Sequence, residues 1–159
     1  MKKFICIIFI VLLMVTSIIA QQKDFPKLTG PYLGQKPPVM TPEIFAPGIL
    51  GNDKIGSFCS VFSADGNEFY YVRFIKGVEG SGRIYWSRRV NNIWSNPEPA
   101  PFSSDYPEND MRISQDGGKM FWRSWRPLPG RHVQERRSCI WYSNRTTTAW
   151  SKLFRFSNS

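Results

Sequence analysis

Hydrophobic positions in this chain fall in short aromatic runs, not in a helical stripe. Phe69-Tyr70-Tyr71-Val72, Ile84-Tyr85-Trp86, Met120-Phe121-Trp122 and Ile140-Trp141-Tyr142 are each bounded by charged or turn-forming residues. Their β-branched and aromatic content favours strands. A sheet with one wet face alternates apolar and polar positions; these runs are nearly continuous, so the strands need cover on both faces. The pattern predicts strands at 57–63, 68–74, 83–88 and 93–96, then again at 109–114, 119–124, 139–143 and 149–154. Asp65-Gly66 and Asp116-Gly117 stand between the first two strands of each group. Asp-Gly there supplies the positive φ angles of a two-residue hairpin turn.

The two groups are copies. Ser63-Ala64-Asp65-Gly66-Asn67-Glu68-Phe69-Tyr70-Tyr71 returns as Ser114-Gln115-Asp116-Gly117-Gly118-Lys119-Met120-Phe121-Trp122, 51 residues on. Ile84-Tyr85-Trp86-Ser87 returns as Ile140-Trp141-Tyr142-Ser143, and Trp94-Ser95 as Trp150-Ser151, both 56 residues on. The five-residue difference is an insertion between the second and third strands. Pro42-Glu43 and Pro97-Glu98 form a further echo, 55 apart. Matching order with one drifting offset is the signature of a structural repeat with a variable loop. Four antiparallel strands per copy, covered on both faces and repeated in tandem, describe the blades of a β-propeller. The expected fold class is therefore all-β: two four-stranded antiparallel propeller blades, an incomplete propeller, over residues 42–104 and 105–159.

Phe62-Ser63-Ala64-Asp65-Gly66 followed by Phe69-Tyr70-Tyr71 resembles the F-S-P-D-G signature of WD40-like (PD40), TolB-type propeller repeats. Ile84-Tyr85-Trp86-Ser87 to Trp94-Ser95, with its second copy, resembles that family's third strand and closing turn. Ser124-Trp125-Arg126-Pro127 with Gly130 is similar to its S-N-R-P-x-x-G loop. The family's proline is Ala64 in one copy and Gln115 in the other. The likeness spans about residues 42–156 and implies an exported bacterial repeat protein.

The start of the chain agrees with export. Lys2 and Lys3 precede an uncharged run from Phe4 to Ala20, and Ala20 offers a small residue for cleavage before Gln21. This is the pattern of a signal peptide over residues 1–20. The alternative is an uncleaved anchor, for which the run is at the short edge of the spanning range. Residues 21–41, rich in Pro, Gly and Gln, read as an extended leader. Export permits a disulfide, but Cys59 and Cys139 occupy different repeat positions and are expected as buried free thiols.

Two blades leave a geometric deficit, since propellers are typically built of four to eight. With one blade-to-blade contact, two sheet faces stay open. Each face of four strands is about 320 Å² in plan, and both together reach or exceed the largest apolar patch usual on monomers, about 300–600 Å². Closing them would contribute on the order of 10 kcal/mol as an upper bound, comparable to the stability of a whole domain. The expectation is a truncated reading frame or, second, a protomer that self-associates through its open blade faces.

Charge concentrates any binding chemistry in the second half. The chain of 159 residues carries a formal +9. Residues 21–110 hold nine bases and ten acids, whereas residues 111–159 hold ten bases and only Asp116 and Glu135 as acids. Such a surface suits an acidic partner; nucleic acid does not fit an exported chain. There is no Gly-x-Ser-x-Gly elbow. His132 is the sole histidine, so a multi-histidine metal site is excluded and no cofactor or metal is expected. Asp65, Gly66, Asp116 and Gly117 read as turn residues, and Glu43 and Glu98 as repeat structure. The paired aromatics read as packing between blades.

The loops remain. In a propeller, strand two-to-three loops and blade-to-blade connections gather around the axis; here these are residues 73–83, 123–138 and 103–110. The second contains Arg123, Arg126, Arg131, His132, Arg136 and Arg137, a candidate binding rim whose arginines would take carboxylates or phosphates. The function expected is an exported propeller-repeat binding or scaffold protein, periplasmic or extracellular, for a protein or acidic glycan partner. It would have no catalysis of its own. The alternative is a fragment of a propeller hydrolase, a sialidase-like glycosidase or a peptidase-associated propeller.

Overall fold

The computed structural model describes residues 25–37, 39–128, 138–147, 149–151 and 153–156. Residues 1–20, the proposed signal peptide, lie outside these, as do Arg131, His132, Arg136 and Arg137. The fold is all-β. Sheet one contains β1 (Ile55–Phe62), β2 (Glu68–Ile75), β3 (Arg83–Val90) and two short segments, β4 (Ile93–Trp94) and β5 (Glu98–Pro99). Sheet two contains β6 (Glu108–Ile113), β7 (Lys119–Ser124), β8 (Cys139–Asn144) and β9 (Phe154–Arg155). Every pairing is antiparallel and follows chain order. The two sheets do not close into a ring.

Four lanes recur in identical register. β4 and β5 share the fourth lane of sheet one, pairing β3 at Arg89↔Trp94 and Tyr85↔Pro99. In sheet two the same lane is made by an isolated bridge, Arg145↔Trp150, and by β9 at Trp141↔Arg155. The fourth strand expected to be continuous is thus broken in both copies. The cause is shared: the Ser87 hydroxyl donates to the Ser95 carbonyl (2.7 Å) and the Ser143 hydroxyl to the Ser151 carbonyl (3.0 Å), interrupting the ladder at the same place. The first lane bulges in both copies too. The bulge residues, Cys59 (φ 49°) and Asp110 (φ 53°), are 51 apart and both left-handed, the extra residue twisting each strand.

The Asp-Gly turns differ from a two-residue hairpin. Ser63 N–H pairs with the Glu68 carbonyl (2.9 Å) and Gly66 N–H with the Ser63 carbonyl (2.9 Å), so the turn is wider and only Gly66, not Asp65, takes a positive φ. Side chains replace the missing backbone partners. The Ser63 hydroxyl accepts from Glu68 N–H (2.9 Å) and donates to Asp65 (2.5 Å), while Asp65 accepts from Asn67 N–H (3.1 Å). Ser114, Asp116 and Gly118 repeat this set at 2.8, 2.5 and 2.9 Å.

Side chains alternate across each strand, giving each sheet a front face toward the N-terminal side and a back face. The back face of sheet one (Tyr70, Val72, Ile84, Trp86) is buried against the front face of sheet two (Met120, Trp122, Trp141, Trp150). Phe102, from the connecting segment, is wedged between them, 4.6 Å from Trp122 and 5.6 Å from Trp150 by ring centroids. This aromatic seam is the main core.

The front face of sheet one is covered, which corrects the expectation of two open faces and of a free leader. Thr29 bridges Ile93, Trp94 N–H donates to the Leu28 carbonyl (3.0 Å), and the Trp94 indole donates to the Gly30 carbonyl (2.7 Å). Behind that anchor Leu33, Ala46 and Leu50 are buried on the face, and Phe45 packs on Phe62 and Phe69. Pro42 and Glu43 form no strand, so the upstream echo is not a structural one.

Candidate functional site

The described residues of all three loop regions singled out above meet at one place. A cleft of about 770 Å³ opens at the end of the seam, between the back face of sheet one and the edge of sheet two. The strand two-to-three loop of sheet one lines it with Val78, Glu79 and Gly80; the inter-sheet connection with Tyr106 and Pro107; the segment after β7 with Trp125. Phe58 and Phe74 form the floor from sheet one, and Asn109 stands on β6. Phe58 (41% exposed) and Tyr106 (36%) present their rings to solvent.

Local sequence holds this shape. The Phe74 ring lies over Gly56, where a Cβ would come within 2.2 Å of it, so glycine is required for Phe74 to reach Phe58, 5.5 Å away. Gly82 allows a similar close approach. A Cβ there would lie 2.9 Å from the Glu108 carbonyl, and Glu108 N–H donates to the Gly82 carbonyl (3.0 Å). Arg83 staples the two connections: its guanidinium donates to the Gly80 and Gly82 carbonyls and to that of Asp105. The Ser81 hydroxyl accepts from Ile75 N–H (2.9 Å) and donates to the Val78 carbonyl (2.7 Å), closing the loop on itself.

Of the proposed arginine rim, the structure describes two members, and they behave oppositely. Arg126 points inward and is 8% exposed, so it is corrected from a rim residue to a core residue. Its guanidinium pairs with Glu108, donates to the Phe102 carbonyl (2.9 Å) and lies over the Trp122 and Trp141 rings (5.5 and 5.1 Å). Glu108, 1% exposed, also accepts from the Ser103 hydroxyl (2.5 Å) and the Ser104 hydroxyl (2.9 Å). A carboxylate with this many donors is a satisfied buried pair. Arg123 stays at the surface, 44% exposed, stacked on Trp125 at 4.5 Å. It donates to the Ser138 hydroxyl (2.7 Å) and faces Asp110 at 3.9 Å.

The aromatic lining was not anticipated from the sequence. Phe58 and Phe74 lie 51 residues before Asn109 and Trp125, so the same two repeat positions from each copy converge on the cleft. The Asn109 Oδ1 atom is buried without a hydrogen-bond partner, unlike the polar groups around Glu108. Asp65, Gly66, Asp116 and Gly117 occupy the turns at the opposite end of the sheets. Cys59 and Cys139 are free, and the Cys59 thiol reaches Asp110 at 3.9 Å. Among the described residues no three His, Cys, Asp or Glu side chains could hold a metal ion, and no helix is long and apolar enough to cross a membrane.

Compared with protein-family models, curated proteins and solved structures, the chain matches none.

Proposed function

We propose that this chain is an exported binding module of the WD40-like propeller-repeat class, without catalysis of its own, that takes an acidic partner at the inter-sheet cleft. The observation that carries this reading is the convergence of the three connecting loops on one aromatic-lined opening, with Arg123 stacked on Trp125 beside it. A guanidinium held flat on an indole presents its edge to a carboxylate, here with one donor already on Ser138 and another facing Asp110, while aromatic rings take the apolar face of a sugar or side chain. The excess of bases over acids in residues 111–159 favours the same sign of partner. Cleavage after Ala20 would deliver the domain to the periplasm or the exterior, where acidic glycans and proteins are the partners available.

The test is a calorimetric titration of the full chain with oligogalacturonate and with its neutral methyl ester. Saturable binding of the acidic form is expected, weakened about tenfold or more by Trp125→Ala, the loss typical of an interface anchor. Arg123→Gln should weaken the acidic ligand and leave the ester unaffected. Oligosaccharide length after incubation should be unchanged. Equal binding of both ligands, or wild-type affinity in Trp125→Ala, overturns the proposal. Shortened oligosaccharide returns the hydrolase alternative.

A further inference from the structure

The repeat allows each exposed position on sheet two to be compared with a buried counterpart on sheet one. On the back face of sheet one Tyr70, Ile84 and Trp86 are buried by sheet two. Their counterparts on sheet two are Phe121, Ile140 and Tyr142, held in the same register (Tyr70↔Trp86 and Phe121↔Tyr142). This second back face is uncovered among the described residues. Ile140 is 43% exposed, and Phe154 and Phe156 are 42% and 52% exposed. Its rings are already ordered: Tyr142 stacks on Phe154 at 5.1 Å and Phe121 meets Phe156 edge-on at 6.4 Å.

Charge says what fits it. On sheet one the polar lock of the interface is Glu68, which receives Arg145 from sheet two. Arg145 lies over Trp150 at 4.4 Å, and the Trp150 indole donates to the Tyr70 hydroxyl (2.9 Å), which donates to Glu68 (2.8 Å). At the counterpart of Glu68 stands Lys119, and Arg112 and Arg123 share the face with it. An occupant built like the front face of sheet two would need a carboxylate where Arg145 stands. A second copy of this chain does not offer one. Its front face on sheet one lies beneath the segment around Leu33 and carries Arg89 in that place, over Trp94 at 5.8 Å. Two back faces set together would oppose the same cations. Like charges across an interface are a strong bar to association.

We infer that the back face of sheet two is a docking surface for an aromatic β-hairpin or sheet face of a different polypeptide, one presenting a carboxylate to Lys119. The surface adjoins the cleft at Arg123 and is centred on Lys119, Phe121 and Tyr142, away from the cleft lining. The test uses two head-to-tail cyclic peptides of this chain's residues 143–152, one unchanged and one carrying Arg145→Glu, titrated into full chain with labelled phenylalanine and tyrosine. The Arg145→Glu peptide should bind at least tenfold tighter and move the Phe121 and Tyr142 ring signals by NMR. The chain variant Lys119→Glu, a surface change, should reverse the preference. Equal affinities, no binding of either peptide, an unreversed preference, or self-association of the wild-type chain in sedimentation would each overturn the inference.

Discussion

The two sheets share a backbone and differ in what surrounds it. Path, register, first-lane bulge, Ser-x-Asp turn and broken fourth lane coincide position by position. Sheet one is covered in front by the segment holding Leu33, Ala46 and Leu50, and behind by sheet two; among the described residues, sheet two is covered only in front. Side chains follow the cover. Tyr70, whose hydroxyl bonds Glu68 and Trp150, becomes Phe121, and buried Val72 becomes Arg123. What is repeated is therefore the chemistry that forms strands and turns. What varies is the chemistry that meets a neighbour.

The sharpest break in that equivalence is Glu108. Its counterpart in sheet one is Ser57, paired in register with Arg73 as Glu108 is with Ser124. Glu108→Ala would strand the Arg126 guanidinium in the core, and about 3–5 kcal/mol of stability should be lost, as when one partner of a buried ion pair is removed. Ser57→Ala should change stability by no more than about 0.5 kcal/mol. Urea unfolding of both variants measures the difference; similar losses would mean that the buried pair is not what anchors sheet two to the seam.

Next comes the contrast between the covered front of sheet one and the open back of sheet two. Leu33→Ala empties a site 1% exposed and should cost about 2–4 kcal/mol. Phe154→Ala removes a larger side chain from an exposed position and should cost less than about 1 kcal/mol, read in the same denaturant series. If the Leu33 change proves as mild as that at Phe154, the lead-in segment does not cap the sheet in solution.

A smaller effect separates two ion pairs. Arg145 joins Glu68 across the seam, and that hydrogen bond is the main reason its guanidinium is held above the ordinary arginine range. Arg145→Ala should cost about 1–2 kcal/mol, the scale of a hydrogen bond to a charged group with its stacking partner. Arg88, 3.8 Å from Glu98 with both side chains about half exposed, should cost about 0–0.5 kcal/mol when changed to Ala. Thermal melts rank the two; equal shifts would remove the claim that Arg145 locks the sheets together.

Most of the strand pattern was readable because strands need aromatic and β-branched runs and turns need Asp-Gly, and both are local. Offsets of 51 and 56 even located the insertion between β2 and β3 copies. Long-range facts were not readable. Residues 21–41 read as an extended Pro/Gly-rich leader, and nothing local says that Leu33 within it will be buried or that Phe45 just beyond it will land on Phe62 and Phe69. Arg126 reads as one of five arginines in an arginine-rich loop. Only the tertiary position of Glu108, 18 residues earlier, turns it inward. The loops that form the cleft, with Tyr106 and Trp125, could be named from topology, but its other two aromatics, Phe58 and Phe74, come from β1 and β2, where nothing local marks them as open to a cleft.

The smallest effect tests the turns, where the copies are most alike. Hydrogen bonds from Ser63 and Asn67 hold the Asp65 carboxyl below its ordinary value of 3.8, and those from Ser114 and Gly118 do the same for Asp116. A carboxyl depressed on folding stabilises the fold above its unfolded value, and the contribution is lost as pH falls through the folded value. Both turns should thus weaken together below about pH 4, and Asp65→Asn and Asp116→Asn should lower stability near neutrality while flattening the acid limb of a stability–pH curve. They should not be equal. Asp65 also accepts from the Asn67 side chain (3.1 Å), where the second copy has Gly118, and it feels Arg145. The Asp65 variant should therefore lose slightly more at pH 7, and its deficit should shrink in salt as the Arg145 attraction is screened. Acid limbs as steep in both variants as in the parent chain would show that the hydroxyls of Ser63 and Ser114 hold the turns without the carboxylates.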